Sequence, residues 1–215
     1  EIKNPLTPIQ LTIDRLKNKY SDKMQIDQKE DFTKNLRVIG KQIKQIENLV
    51  NEFSDFARMP KPILKDNDLV SLIKDNINLI KELDNNILIN LDVNLDEVFL
   101  NSDSEQLSRA FFNIIKNSIE SIQEKRLNND GFKGKIDINL YDNESHIDFI
   151  VVDNGLGFVD FKDNIKNLLN PYFTTKKKGT GLGLAIVNKT INDHNGKINF
   201  ISIEDGAKIQ ITFIK

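Results

Sequence analysis

The chain contains no cysteine, and only two of its 215 residues are histidine. The first absence excludes disulfides, thiolate chemistry and zinc centres built on thiolates. The second excludes a histidine-rich metal site. No apolar run approaches the ~20 residues that a membrane-spanning helix requires, and no signal peptide opens the sequence. Charge of one sign is not in excess either: 30 Lys and Arg against 32 Asp and Glu leave a formal −2. No basic field of the kind that gathers nucleic acid is present, so neither nucleic acid nor membrane is expected as a partner of this segment. The first residue is Glu1, inside a helical pattern, and the sequence reads as a piece of a longer chain. At this length one large domain or two modest ones are expected.

What is present begins with helical periodicity. Apolar residues fall at Ile2, Leu6, Ile9, Ile13 and Leu16, in steps of four and three. The polar stretch YSDKMQIDQ (20–28) interrupts them, and they resume at Phe32, Leu36, Ile39, Ile43, Ile46, Val50 and Phe53. That spacing is the signature of helices buried along one seam. An antiparallel hairpin over 1–59 is expected, exposing its seam unless a second copy closes a four-helix bundle. A hairpin packed on the rest of its own chain is the alternative. Pro60 and Pro62 in ARMPKP stop the second helix, and 60–65 reads as a linker.

Beyond the linker the texture changes. DNDLVSLIKDNINLIKEL (66–83) and SEQLSRAFFNIIKNSIESIQEK (104–125) have helical period. ILINLDV (87–93) and EVFLNSD (97–103) alternate like strands, and 134–142 with 146–154 reads as a hairpin around Asn143 and Glu144. A helix over 181–194 and closing strands over 196–203 and 207–215 complete a mainly antiparallel α+β domain spanning 66–215.

Three stretches carry chemistry. In NPYFTTKKKGTGLGLAIV (170–187), Gly179, Gly181 and Gly183 stand where a loop becomes a helix, with Lys176, Lys177 and Lys178 just upstream. Backbone N–H groups at such a helix start, together with the lysines, suit a polyphosphate, although the same glycines would serve a purely structural turn. The spacing is neither the Walker loop nor the dinucleotide fingerprint. In VVDNGLGF (151–158), Asp153 ends an apolar strand, and Gly155 and Gly157 follow. A carboxylate fixed there accepts a hydrogen bond from an exocyclic amine, as adenine offers; an ordinary turn built on DNG is the other reading. On the helix over 104–125, Asn113 and Asn117 lie four apart on one face, with Lys116 adjacent and Glu120 one turn on. Their amide oxygens suit a hard cation such as magnesium that shares its shell with phosphates, or they are solvated surface asparagines.

Taken in this order, the three stretches resemble the N box, the DxGxG box and the glycine-rich box of the GHKL ATP-binding fold, with PYFTTK (171–176) similar to its F box. EIKNPLTPI (1–9) resembles the H box of sensor histidine kinases, H-E-(I/L)-K-N-P-L-T-P-I, without the histidine expected just before Glu1. NEFSDFARMPKP (51–62) looks further like the NtrY-like nitrogen-regulation kinases. The resemblance implies a dimeric four-helix bundle, followed by a two-layer α/β sandwich of the Bergerat type. It implies ATP and Mg2+ as cofactors and a response-regulator receiver as partner, in a cytoplasmic segment of a protein anchored in the bacterial inner membrane. Asn117 would ligate Mg2+, with Asn113 the second candidate, and Lys116 would lie beside them. Asp153 would read adenine, and Gly155 and Gly157 would frame the nucleotide. Phe173, Lys176, Gly179, Thr180, Gly181, Leu182 and Gly183 would form the phosphate side and the lid over ATP. Glu1 would help accept the imidazole proton, and Asn4 would position water when the phosphorylated partner is dephosphorylated.

Related ATPases of the gyrase and Hsp90 type carry a glutamate one turn before the magnesium asparagine, and here Asn113 stands there. An amide cannot take a proton from water at neutral pH. The resemblance therefore implies a kinase that keeps ATP intact, with a nucleotide-binding scaffold and a GHKL ATPase as the competing readings. Near the end, DGAKIQITF (205–213) departs from the family's last glycine motif. Neither His146 nor His194 is expected to replace the missing histidine.

Overall fold

The computed structural model describes residues 3–20, 26–127, 129–158, 165–174, 176 and 179–215. It separates into two compact units, Glu1–Met59 and Pro60–Lys215.

The first unit is a pair of helices, α1 (Lys3–Tyr20) and α2 (Ile26–Ala57). Their four-three spacing packs Ile13 against Leu36 and Ile43, with Leu6 and Phe32 alongside. The intervening seam positions stay open: Ile9, Leu16, Ile39, Ile46 and Phe53 are all exposed. One hairpin therefore covers only about half of the stripe its sequence writes.

The second unit starts earlier than its helical pattern implies. Residues expected to open a helix form a short strand instead, β1 (Lys65–Asp68), and α3 (Leu69–Lys81) begins after it. The cause is Asp68, whose carboxylate caps α3 by accepting from the N–H groups of Val70 and Ser71, at 3.1 and 3.0 Å. It also accepts from Val98 N at 3.0 Å, which ties the helix start to the strand beside it. The preceding residues are likewise fastened, since Ile63 N donates to Asp103 and Gln106 donates to the carbonyl of Pro60.

There follow β2 (Leu88–Val93), β3 (Phe99–Ser102), α4 (Ser104–Leu127), β4 (Lys135–Asp142) and β5 (His146–Asp153). A 3₁₀ helix spans Ile165–Leu169, and α5 (Gly183–Asp193), β6 (Gly196–Ile203) and β7 (Gly206–Ile214) complete the unit. The main sheet has the order β2-β4-β5-β7-β6, while β1 and β3 pair separately. Strand β3 thus lies outside the main sheet. Within that sheet β2 and β4 run parallel and the other pairs antiparallel. A parallel pair needs a long crossover, and β3 with α4 supplies it.

Strands β4 and β5 bury alternate residues, so the sheet has one apolar face. Ile136, Ile138, Phe149, Val151, Ile209 and Ile211 on that face meet Ile73, Leu107, Phe111, Ile114, Val187 and Ile191 from the helices. The rings of Phe111 and Phe149 stack at 4.2 Å. The result is a two-layer α/β sandwich in which α4 lies in the apolar core on one side and faces the glycine motifs on the other. Among the described residues, no helix is long and apolar enough to cross a membrane.

Candidate nucleotide site

Helix α4 joins the three motifs. Asn113, Asn117 and Glu120 succeed one another at steps of four and three, which keeps them on one helical face. Lys176 crosses from the glycine-rich stretch to meet that face. Its ammonium donates to Asn117 Oδ1 at 3.1 Å and to Glu120 Oε2 at 2.5 Å. The other carboxylate oxygen of Glu120 faces Lys116 at 3.8 Å. Asn113, half-buried, lies one turn earlier.

One residue on from Asn117, α4 turns to the DNG segment. Asp153, at the end of β5, is only 4% exposed. Burial pushes its carboxyl above the ordinary value, against the N–H groups of Gly155 and Ala207, the Ser118 hydroxyl and the Lys125 charge, which all pull it down. Ser118 Oγ is itself buried without a partner of ordinary hydrogen-bond geometry. A buried carboxyl carrying this burden, beside a loosely held hydroxyl, is the kind of polar pair a bound ligand completes. One turn further, Ser121 Oγ accepts from Leu156 N at 2.9 Å and fixes the turn. Lys125 then donates to the carbonyls of Asn154 and Gly155 at 2.8 and 3.0 Å and pairs with Asp205. The backbones here are in contact: a Cβ on Gly206, where φ is +116, would stand 1.8 Å from the carbonyl oxygen of Asp153. A Cβ on Gly157, where φ is +71, would stand 2.3 Å from Gly206 O. Only glycine fits at either place.

The glycine-rich stretch is held by short-range bonds. Lys176 N donates to Thr174 Oγ1 at 3.1 Å, Gly179 N to Lys176 O at 3.0 Å, and Tyr172 N to Gly181 O at 3.0 Å. Gly181 has φ +70, and a Cβ there would strike Tyr172 at 2.5 Å; partly exposed Phe173 follows Tyr172. Thr180 Oγ1 accepts from Leu182 N at 3.4 Å. Leu182 is buried and stands at the N-cap of α5 with no side-chain cap bond, so the first N–H groups of α5 have no side-chain acceptor from the cap. A Cβ on Gly183 would meet nothing within 4 Å. Packing gives no reason for glycine there, whereas an anion seated on the helix start would.

The sequence-expected residues of the second unit are thus gathered around α4 and α5. Lys177 and Lys178 lie outside the described residues, as does Glu1. Asn4 lies in α1, in the other unit, and its side chain is likewise outside the described residues. His194 is buried, as a structural histidine would be: Nε2 accepts from Asp103 N at 2.9 Å, so Nδ1 carries the proton toward Thr190 O at 2.7 Å. His146, at the head of β5, lies 3.3 Å from Asp148. Ser118, Ser121, Lys125 and Gly206 received no role from the sequence. Of these only Gly206 left a signal, the Asp205-Gly206 turn.

The donor set also limits what metal would suit the site. Among the described residues no group of three His, Cys, Asp or Glu side chains could hold an ion unaided. Asn117 Oδ1 offers a single hard oxygen, which fits a cation that brings its remaining ligands from water and a polyphosphate.

Comparison with known proteins agrees with this geometry. Residues 102–215 match the family of histidine kinase-, DNA gyrase B- and HSP90-like ATPases, and residues 1–62 match the His Kinase A (phospho-acceptor) domain. An NtrY-like sensor histidine kinase of Rickettsia prowazekii is 39% identical over 99% of this chain and 34% of its own length. The nitrogen regulation protein NtrY of Azorhizobium caulinodans is 36% identical over 99% of this chain and 27% of its own. The chain therefore spans between about a quarter and a third of the length of these relatives. Among solved structures, the catalytic domain of the histidine kinase ThkA superposes with a TM-score of 0.61 at 27% identity, covering 71% of this chain and 95% of that one. ThkA in complex with the response regulator TrrA gives a TM-score of 0.69 at 24% identity over 100% of this chain and 59% of that one, a likeness of fold. A phospho-acceptor segment followed by this ATPase-like fold places the chain in the sensor histidine kinase family.

Proposed function

We propose that this chain is the transmitter of a two-component sensor kinase, binding Mg-ATP in its second unit. The observation that carries the reading is the gathering of both ends of a nucleotide site on consecutive residues of α4. Asn117 meets Lys176, and Ser118 lies against the buried carboxyl of Asp153. Asp153 would accept from the exocyclic amine of adenine. The open start of α5 at Gly183 would receive the phosphates, joined by Lys176 once its bonds to α4 are released. Asn117 would hold Mg2+, with Asn113 the second candidate ligand. The ion would neutralise phosphate charge during transfer.

The acceptor would be an imidazole nitrogen of a histidine expected just before Glu1. The bond from the γ-phosphorus to the bridging oxygen breaks as the nitrogen–phosphorus bond forms, releasing ADP. Glu1 would take up the imidazole proton. An aspartate of a response-regulator receiver would then accept the phosphoryl group, and Asn4 would position water for its later hydrolysis. Dimerisation through residues 1–59 would cover the open seam of Ile9, Leu16, Ile39, Ile46 and Phe53. Attachment of the parent protein to the inner membrane is part of the same reading.

Because Asn113 cannot act as a base toward water, slow ATP loss without an acceptor is expected, unlike a GHKL ATPase. Titration calorimetry with Mg-ADP is the direct test. Asn117→Asp and Asp153→Asn should each weaken binding at least tenfold, about 1.4 kcal/mol; unchanged affinity in both would sink the site. Placing histidine before Glu1 and following labelled ATP then separates kinase from scaffold. A kinase acquires acid-labile phosphate, whereas a scaffold binds nucleotide and stays unlabelled.

A further inference from the structure

Lys176 bonds to the face of Asn117, where its ammonium is also held by Glu120. The ammonium sits 3.1 Å from Asn117 Oδ1, the oxygen offered to a divalent ion. A magnesium ion held by that oxygen would bring a second positive charge to the acceptor that the ammonium already uses. The two charges repel, so an ion on that oxygen disfavours the ammonium beside it. Glu120 Oε2 makes the shorter of the two bonds to Lys176, at 2.5 Å. The lysine rests there with its side chain about a third exposed. The carboxylate would not be stranded by the lysine's departure, because its other oxygen already faces Lys116 at 3.8 Å. Release of Lys176 therefore leaves α4 with an ion pair in place of a bare charge.

We infer that Glu120 is a positioning and specificity residue: by docking the Lys176 ammonium on Asn117, it biases the site toward nucleotide that arrives with a divalent cation. Nucleotide that arrives without a metal meets an Asn117 already taken and a lysine already neutralised. Nucleotide that arrives with Mg2+ displaces the ammonium from Asn117 and frees it for the phosphates. Glu120 thus acts through Lys176, and it need not touch the substrate. The inference rests on the nucleotide reading of the site.

The test compares ATP affinity in excess Mg2+ with ATP affinity in EDTA, by calorimetry on the whole chain. Wild type, Glu120→Gln, Lys176→Met and the double variant are measured, with circular dichroism melts to confirm folding. Freeing a partly exposed ion pair corresponds to about a three- to fivefold effect. Glu120→Gln should tighten metal-free ATP by that factor and leave Mg-ATP within twofold, so the metal dependence shrinks. In the Lys176→Met background the same substitution should change nothing. Equal tightening in both backgrounds would mean that Glu120 merely repels phosphate, and an unchanged metal dependence would remove its role altogether. If wild type bound no nucleotide in either buffer, the nucleotide reading would fail first and this inference with it.

Discussion

Asp153, the proposed adenine-reading residue, carries a burial cost in the resting fold. Its carboxyl is held above the ordinary value of 3.8, chiefly because burial disfavours the charge. The folded chain therefore binds this proton more tightly than the unfolded chain does. Its contribution to stability is present below 3.8 and is lost as pH rises through the raised value. Asp153→Asn removes that penalty, so the nucleotide-free unit should melt no lower than wild type at pH 7 while Mg-ADP binding weakens as proposed above. A thermal melt of both proteins with and without nucleotide checks both halves. Two glycines make a second contrast. Gly206→Ala forces a methyl to within 1.8 Å of a carbonyl oxygen and should destabilise the unit by roughly 4 kcal/mol or more. Gly183→Ala enters open space at a helix start. It should leave the melt unchanged or slightly raised while weakening ATP, which calorimetry would read.

Among the elements, the helical hairpin is where local pattern and observed burial can be compared directly. Ile39 and Ile46 are each 46% exposed on α2, although the four-three rhythm gives them the same standing as buried Leu36 and Ile43. Ile39→Glu with Ile46→Glu should therefore leave the hairpin helical but yield monomers by light scattering, where wild type gives dimers. Period and the proline stop are legible in the sequence because both are local. The rhythm of Phe32 to Phe53 requires only the geometry of one helix, and the stop at Pro60 only proline's own sterics. The start of α3 was misread, since DNDLV fits a helical stripe until Asp68 is seen accepting from Val98, thirty residues away. The strand over Phe99–Ser102 was visible, but its partner was not, because alternation says nothing about which strand lies alongside. At the candidate site, spacing singles out Asn117, Asp153 and the glycines, and the family resemblance gives them their expected roles. Ser118, Ser121 and Lys125 are not singled out, because serine and lysine on a helix look like ordinary surface until the DNG turn packs against them.

Over the whole chain, acid should act in two opposite senses. Asp68, Asp84, Asp103 and Asp137 are all held below 3.8. Burial alone would raise each of them, but hydrogen bonds outweigh it: Ser71 and Val98 at Asp68, Gln123 and Asn86 at Asp84, Ile63 and Gln106 at Asp103, Lys135 and Asn90 at Asp137. Their stabilisation is present above 3.8 and lost as pH falls through the lowered values. Asp153, protonated over the same range, opposes the loss with one group against four, so the melting temperature of the second unit should drop steeply below about pH 4. Asp68→Asn should flatten that slope, as melts across a pH series would reveal. The order of the main sheet has a consequence during synthesis. Strand β7 follows every other described strand along the chain, yet it lies between β5 and β6. Until it emerges from the ribosome, β5 has a bare edge and β6 lacks its partner in the main sheet, so the nascent sheet has a gap one strand from its edge that β7 must fill.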